Sequence, residues 1–133
     1  MTQFNDMQGV FGLLPTPYNE ELEIHTEDLS KVATFCCDTG QHGIVWPVMV
    51  GEFWFLGEHE RLEALDTVLE TVNGEIPFVF GCSGISIPQV LLYARAAEKA
   101  GVDAVVAMAP NRIDQEGAID MYRRIAEVFS RPI

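Results

Sequence analysis

Four short apolar runs punctuate the chain, at Gly9–Leu14, Gly43–Val50, Ile76–Phe80 and Asp103–Ala109. Each is stopped by a breaker: Pro15 and Pro17, Gly51, Gly81, and Pro110. Within the runs apolar residues follow one another almost without interruption instead of alternating with polar ones. That pattern predicts strands covered on both faces, as in parallel sheets.

Helix-period segments separate the runs. The first is predicted after Thr26 as N-cap, with Glu27 and Asp28 in a first turn that favours negative charge. Leu29, Val32, Ala33 and Cys36 fall on one stripe, and Gly40 supplies the stop. The second runs from Glu58 to Val72 with Leu62, Leu65, Leu69 and Val72 inward, ending near Asn73-Gly74. The third begins after Ser86, tolerates Pro88 in its first turn, turns Val90, Leu91, Ala94 and Ala97 inward, and ends at Gly101. The fourth spans Gln115 to Phe129, with Met121, Ile125 and Phe129 inward, and Pro132-Ile133 opens a fifth strand. The order is βαβαβαβα within one unit, residues 1–133, and crossovers of this length give parallel strands with right-handed connections. Two architectures satisfy the pattern: half of a (β/α)₈ barrel, or a small doubly wound sheet.

Composition narrows the function classes. Twenty acids against 8 bases leave a net charge of −12. Binding a phosphate backbone needs clustered Lys and Arg, so no nucleic-acid partner is expected. No apolar run approaches the roughly 18 residues of a membrane span, and no membrane partner is expected. Met1 to Gln8 carries no apolar stretch of the kind a secretory leader needs. Three cysteines, two of them adjacent (Cys36 and Cys37, with Cys82), read as reduced thiols. The expected compartment is the cytoplasm. His25, His42 and His59 lack ligand spacing, so no metal is expected, and Gly81 lacks the glycine pattern of a dinucleotide site, so no cofactor is expected either.

The loops after the runs carry more information. Leu14-Pro15-Thr16-Pro17-Tyr18 follows the first; Gly51-Glu52, then Leu56 and Glu60-Arg61, follow the second; Gly81-Cys82-Ser83 follows the third. After the fourth come Pro110, Gln115-Glu116-Gly117, Tyr122 and Ile125-Ala126-Glu127. In this order and spacing the set resembles the dihydrodipicolinate synthase / N-acetylneuraminate lyase family of Schiff-base aldolases. The resemblance implies the N-terminal half of a (β/α)₈ TIM barrel with strands in the order 1-2-3-4, commonly assembled as a homo-oligomer, a tetramer in the family. It also implies a lyase, aldolase or dehydratase acting on a small keto acid or sugar acid through a lysine imine. The amine is required because the imine acts as an electron sink. The family's lysine lies on a sixth strand, its carboxylate-binding Gly-Thr-Thr loop follows strand two, and a proton-relaying tyrosine follows strand four.

This chain departs from the pattern at each place. Val48, Met49 and Val50 stand at the Gly-Thr-Thr positions. Pro110 is followed at once by Asn111-Arg112, without the intervening tyrosines. The only lysines are Lys31 and Lys99, both on predicted helices, so no catalytic residue is assigned within these 133 residues and the chain by itself is expected to be inactive. A non-catalytic binding or assembly relative on the same scaffold is the alternative.

The substrate-binding candidates are Thr16, Met49, Val50, Gly51, Glu52, Asn111 and Arg112, all at predicted strand ends. Thr16 either orients a substrate group or serves as a turn hydroxyl. Glu52 reads better as a carboxylate tying down backbone N–H groups of the following loop than as an acid–base group. Arg112 either grips a substrate carboxylate or is a solvated loop cation. Met49, Val50, Phe53, Trp54 and Phe55 form an apolar cluster suited to packing or a subunit contact, or to an apolar pocket. Cys82 reads as a small core residue.

Overall fold

A computed structural model describes residues 7–133. The expectation about a leader at Met1 to Gln8 falls almost wholly outside these residues. Four strands, β1 (Phe11–Leu13), β2 (Gly43–Trp46), β3 (Phe78–Gly81) and β4 (Ala104–Val106), alternate with α1 (Thr26–Asp38), α2 (Glu58–Val72), α3 (Ile87–Ala100) and α4 (Gln115–Val128). The sheet order is β1-β2-β3-β4 and every neighbouring pair is parallel. Chain order in the sheet decides between the two architectures. A doubly wound sheet changes winding direction, whereas here every right-handed crossover lands its helix on the same side. The chain is the N-terminal half of a TIM barrel.

The core lies between the sheet and this helical layer. Ile44 stands in register beside Phe78, and Trp46 beside Phe80, all fully buried with Val105. Leu29, Ala33, Cys36, Leu65, Val68, Val90, Ala94, Met121 and Ile125 close over them from the helices. The alternate strand positions are also apolar but only partly covered: Leu13 is 51% and Val106 38% exposed, with Val45 and Val79 half-buried between them. Runs apolar at every position therefore do supply two apolar faces, but this chain covers one of them.

The strands are shorter than the runs. The second run extends to Val50, yet pairing stops at Trp46, because Pro47 has no N–H to give and Met49–Gly51 coils into a 3₁₀ turn. The fourth run extends to Ala109, yet pairing stops at Val106, and the Met108 N–H turns to the Ser83 hydroxyl at 2.8 Å. The first run starts at Gly9 but its ladder spans only Phe11–Leu13; the third starts two residues late and ends at Gly81. Beyond α4, the Val105 N–H donates to the Pro132 carbonyl at 3.0 Å, so the chain returns to the free edge of β4 as a fifth strand would. Glu98 fixes that return by accepting the Ser130 N–H and hydroxyl and an Arg131 N–H.

Helix ends follow local chemistry. Ser86 caps α3 and Asp114 caps α4, each accepting the backbone N–H three residues on. Gly101, at φ +86°, ends α3 in the left-handed conformation that favours glycine. The start of α1 corrects the expectation. His25 is the N-cap, its Nδ1 accepting from Asp28 N, and Thr26 is the first helical residue. The His25 N–H is held by the Pro17 carbonyl at 2.9 Å, which sets the chain's entry one residue earlier than hydroxyl preference suggests.

Candidate functional site

Parallel strands in chain order bring all four βα loops to one rim, where barrels of this kind carry their chemistry. The loops there are joined by side chains that bond mainly to backbone oxygens. Thr16, 9% exposed, accepts the Trp46 indole N–H at 2.9 Å and donates to the Gly51 carbonyl at 2.6 Å. Both capacities of its hydroxyl are thus occupied in tying the first loop to the second.

The second and third loops are joined by a residue for which the sequence suggested no role. Arg61, 1% exposed, projects from α2 and donates to the carbonyls of Gly81 and Ser83, the latter at 2.9 Å. Its guanidinium lies 3.8 Å from the centroid of the Tyr93 ring and faces the Phe80 and Phe53 rings at 5.6 and 5.8 Å. Burial pulls its pKa down to about 10, leaving it charged at neutral pH. A signal was present: Arg61, Ala64, Leu65, Val68 and Val72 form the buried stripe of α2, whereas the expected Leu62 and Leu69 are only half-buried. The 3.6-residue period counted from Val72 reaches position 61 as readily as 62.

The stitching continues around the rim. The Ser83 hydroxyl accepts the Met108 N–H, and the Tyr122 hydroxyl donates to the Ala107 carbonyl at 2.7 Å. Cys82, between these bonds, is fully buried and its thiol is pushed up to about 11 by burial, as suits a core residue. Gly81 is required for space: a Cβ there would lie 2.8 Å from the Pro47 carbonyl carbon and nearer still to its oxygen.

The remaining candidates divide. Gly51 is buried and its carbonyl serves Thr16. Glu52 has a left-handed backbone (φ +54°), and its side chain is exposed and makes no hydrogen bond among the described residues. The carboxylate that ties this loop is Glu60, which accepts the Ile24 N–H at 2.8 Å and the Gly57 N–H at 3.2 Å. Glu52 and Glu60 both lie near Tyr18, whose hydroxyl is buried without a partner among the described residues; burial first, then these carboxylates, hold its pKa above the ordinary value. Met49 and Val50 are 62% and 51% exposed at the end of β2. Asn111 and Arg112 are exposed in the loop after β4, and the Arg112 guanidinium has no ion-pair partner among the described residues. Asn111 shares a cleft with Phe53 and Trp54, whose rings stack at 4.3 Å. Phe53 is buried, while Trp54 and Phe55 remain exposed.

Neither lysine reaches this rim. Lys31 pairs with Asp28 at 2.8 Å and Glu27 at 3.3 Å on α1. Lys99 lies in the last turn of α3, at the end of the unit opposite the rim.

The family model of the dihydrodipicolinate synthetase family matches residues 6–133. The chain belongs to that family. It is 34% identical over 121 residues to the 4-hydroxy-tetrahydrodipicolinate synthase of Marinobacter nauticus, covering 90% of this chain and 41% of that protein. It is 31% identical over 130 residues to the enzyme of that name from Methanopyrus kandleri, covering 96% and 43%. The solved structure of the 4-hydroxy-tetrahydrodipicolinate synthase of Methylacidiphilum fumariolicum superposes with a TM-score of 0.89 at 28% identity, over 96% of this chain and 43% of that one. The chain thus spans less than half the length of the dihydrodipicolinate synthetase family members it matches.

Proposed function

We propose that this chain is the N-terminal half of a lyase that makes or breaks a bond beside the keto group of a small 2-oxo acid or sugar acid, through a lysine imine. The lysine is contributed by a strand outside these 133 residues. The observation that supports the reading is the rim itself: four parallel βα loops, in chain order, gathered on one side and braced from behind by Thr16, Arg61, Ser83 and Tyr122. Bracing of this kind holds a mouth open to substrate while leaving the facing positions free. Met49, Val50, Glu52, Asn111 and Arg112 are the side chains offered to the substrate, with Arg112 the natural partner for its carboxylate.

The cytoplasm and a homo-oligomer belong to the same reading. Among the described residues no helix is long and apolar enough to cross a membrane. Borohydride reduction of the full-length protein with pyruvate or a longer 2-oxo acid, followed by mass spectrometry, tests the chemistry. The expected result is a covalent adduct on one lysine beyond Ile133; no adduct with any 2-oxo acid overturns it. A non-catalytic relative is the second reading, favoured by apolar Met49 and Val50 where a carboxylate would need hydroxyls. It predicts saturable ligand binding without any trapped adduct.

A further inference from the structure

We propose that the cleft between the loops after β2, β3 and β4 receives an aromatic ring carried by the substrate, so that the substrate class is an aryl-bearing 2-oxo acid. This rests on the lyase reading above and adds to it. The cleft has a volume of about 120 Å³ and its walls include Phe53, Trp54, Ile85, Met108, Pro110 and Asn111. An enclosed apolar cavity of about 150 Å³ accepts benzene; this cleft is somewhat smaller and open to solvent, so a ring can enter it in part. The walls are apolar and still accessible: Trp54 is 45%, Ile85 78% and Met108 41% exposed.

Three features favour a ring over an aliphatic chain. The Phe53–Trp54 stack, with planes 30° apart, offers a flat face on which a third ring can lie. Met108 adds a thioether side chain to the lining, a favourable neighbour for an aromatic edge. The walls are also set in advance: Phe53 is buried, and the Ile85 N–H is held by the Gln89 side chain at 2.9 Å. A smaller pocket of about 70 Å³ bounded by Phe53, Trp54, Gly84 and Ile85 continues inward to Arg61 and Tyr93, so the same walls have depth behind them.

The polar side chain lining the cleft is Asn111, followed in sequence by the unpaired Arg112. An acid whose ring enters this cleft therefore leaves its carboxylate toward the loop of Asn111 and Arg112, a cation with no ion-pair partner among the described residues. Met49 and Val50, which take the place of hydroxyls at the end of β2, agree with a less polar substrate.

The test uses 3-phenylpropionate, propionate and 4-methylvalerate as probes on the full-length protein, read by the fluorescence lost in a Trp54→Phe variant. None of these carries a keto group, so the result is independent of imine formation. Expected are a saturable Trp54 signal, 3-phenylpropionate binding at least tenfold tighter than either aliphatic acid, and loss of that preference in Met108→Glu. Arg112→Gln should weaken all three acids by the same factor. Equal affinities, a preference for 4-methylvalerate, or a ring preference that survives Met108→Glu overturns the proposal. So does a Trp54 signal that changes with protein concentration alone, which would put a second copy of the chain in the cleft. Ring binding without a borohydride adduct would keep the pocket and remove the lyase; an adduct without ring preference would do the reverse.

Discussion

Replacing Gly81 by alanine should be among the most damaging single-carbon changes in this half-barrel. The new Cβ would meet the Pro47 carbonyl carbon at 2.8 Å, whereas non-bonded carbons settle at about 3.5–4.0 Å. The obstacle is backbone, so no side-chain rotation relieves it; the loops after β2 and β3 must move apart, chiefly to free the nearer Pro47 carbonyl oxygen. Overpacking of this kind costs about 1–3 kcal/mol, and more where the neighbours are fixed. The same displacement loosens the Arg61 bond to the Gly81 carbonyl, worth about 1.5–3 kcal/mol as a bond from a charged donor. The total is about 2.5–6 kcal/mol. With an m-value of about 2 kcal/mol/M, the urea midpoint of the full-length protein should fall by about 1–3 M. Gly40→Ala is the internal comparison. Nothing lies within 4 Å of its Cβ position, but its φ is +72°, so it bears only the left-handed penalty of about 1–2 kcal/mol. Unfolding curves in which the two variants agree within about 1 kcal/mol would refute the reasoning that close approach, not backbone conformation, selects glycine at position 81.

Thr16→Val strands the Trp46 indole N–H and the Gly51 carbonyl together; thermal unfolding should show a loss of about 2–4 kcal/mol, with Thr16→Ser close to the parent. Arg61→Ala orphans two carbonyls and opens space beneath Tyr93, so a loss of about 3–5 kcal/mol is expected by urea denaturation. Arg95→Ala on the exposed face of α3 should stay within about 0.5 kcal/mol. The folded-state pKa of Cys82, about 11, is raised above its usual value of 9.0, so its contribution is complete below pH 9 and is lost as pH rises from there toward 11. Between pH 9 and 10, Cys82→Ala should therefore flatten the fall of stability with pH by up to about 1.4 kcal/mol per unit; an unchanged slope would contradict the burial. Of the three thiols, half-buried Cys37 should be alkylated first in the native protein, and Cys82 only on unfolding.

The order of elements could be read from the chain because two periodicities, near-continuous apolar runs and 3.6-residue stripes, do not overlap in it. Ser86, Gly101 and the Glu58–Val72 helix stand where their residue types place them. Strand ends were less readable. Hydrophobicity persists through Met49 and Val50 and through Met108 and Ala109 after the ladder has stopped, since it marks burial and surface patches alike and carries no information on hydrogen-bond pairing. Among site residues the candidates at strand ends do gather on one rim, but their roles were harder to assign. Thr16 was ambiguous by type, and Glu52 read as the carboxylate that ties its loop, a role its exposed side chain does not fill. The structure gives the tie to Thr16 and to Glu60, which is eight residues beyond Glu52 and was visible only as part of a motif. Arg61 was masked by its charge: a guanidinium on an inward stripe reads as a solvated residue until the carbonyls and rings that hold it are seen.

The braces at the mouth end mostly on main-chain oxygens: Gly51, Gly81, Ser83 and Ala107 supply the acceptors. A carbonyl persists whatever side chain its residue bears. Positions such as Met49, Val50 and Arg112 can therefore be exchanged by mutation without loosening the frame that displays them. The frame is thereby insulated from side-chain changes at the positions it displays.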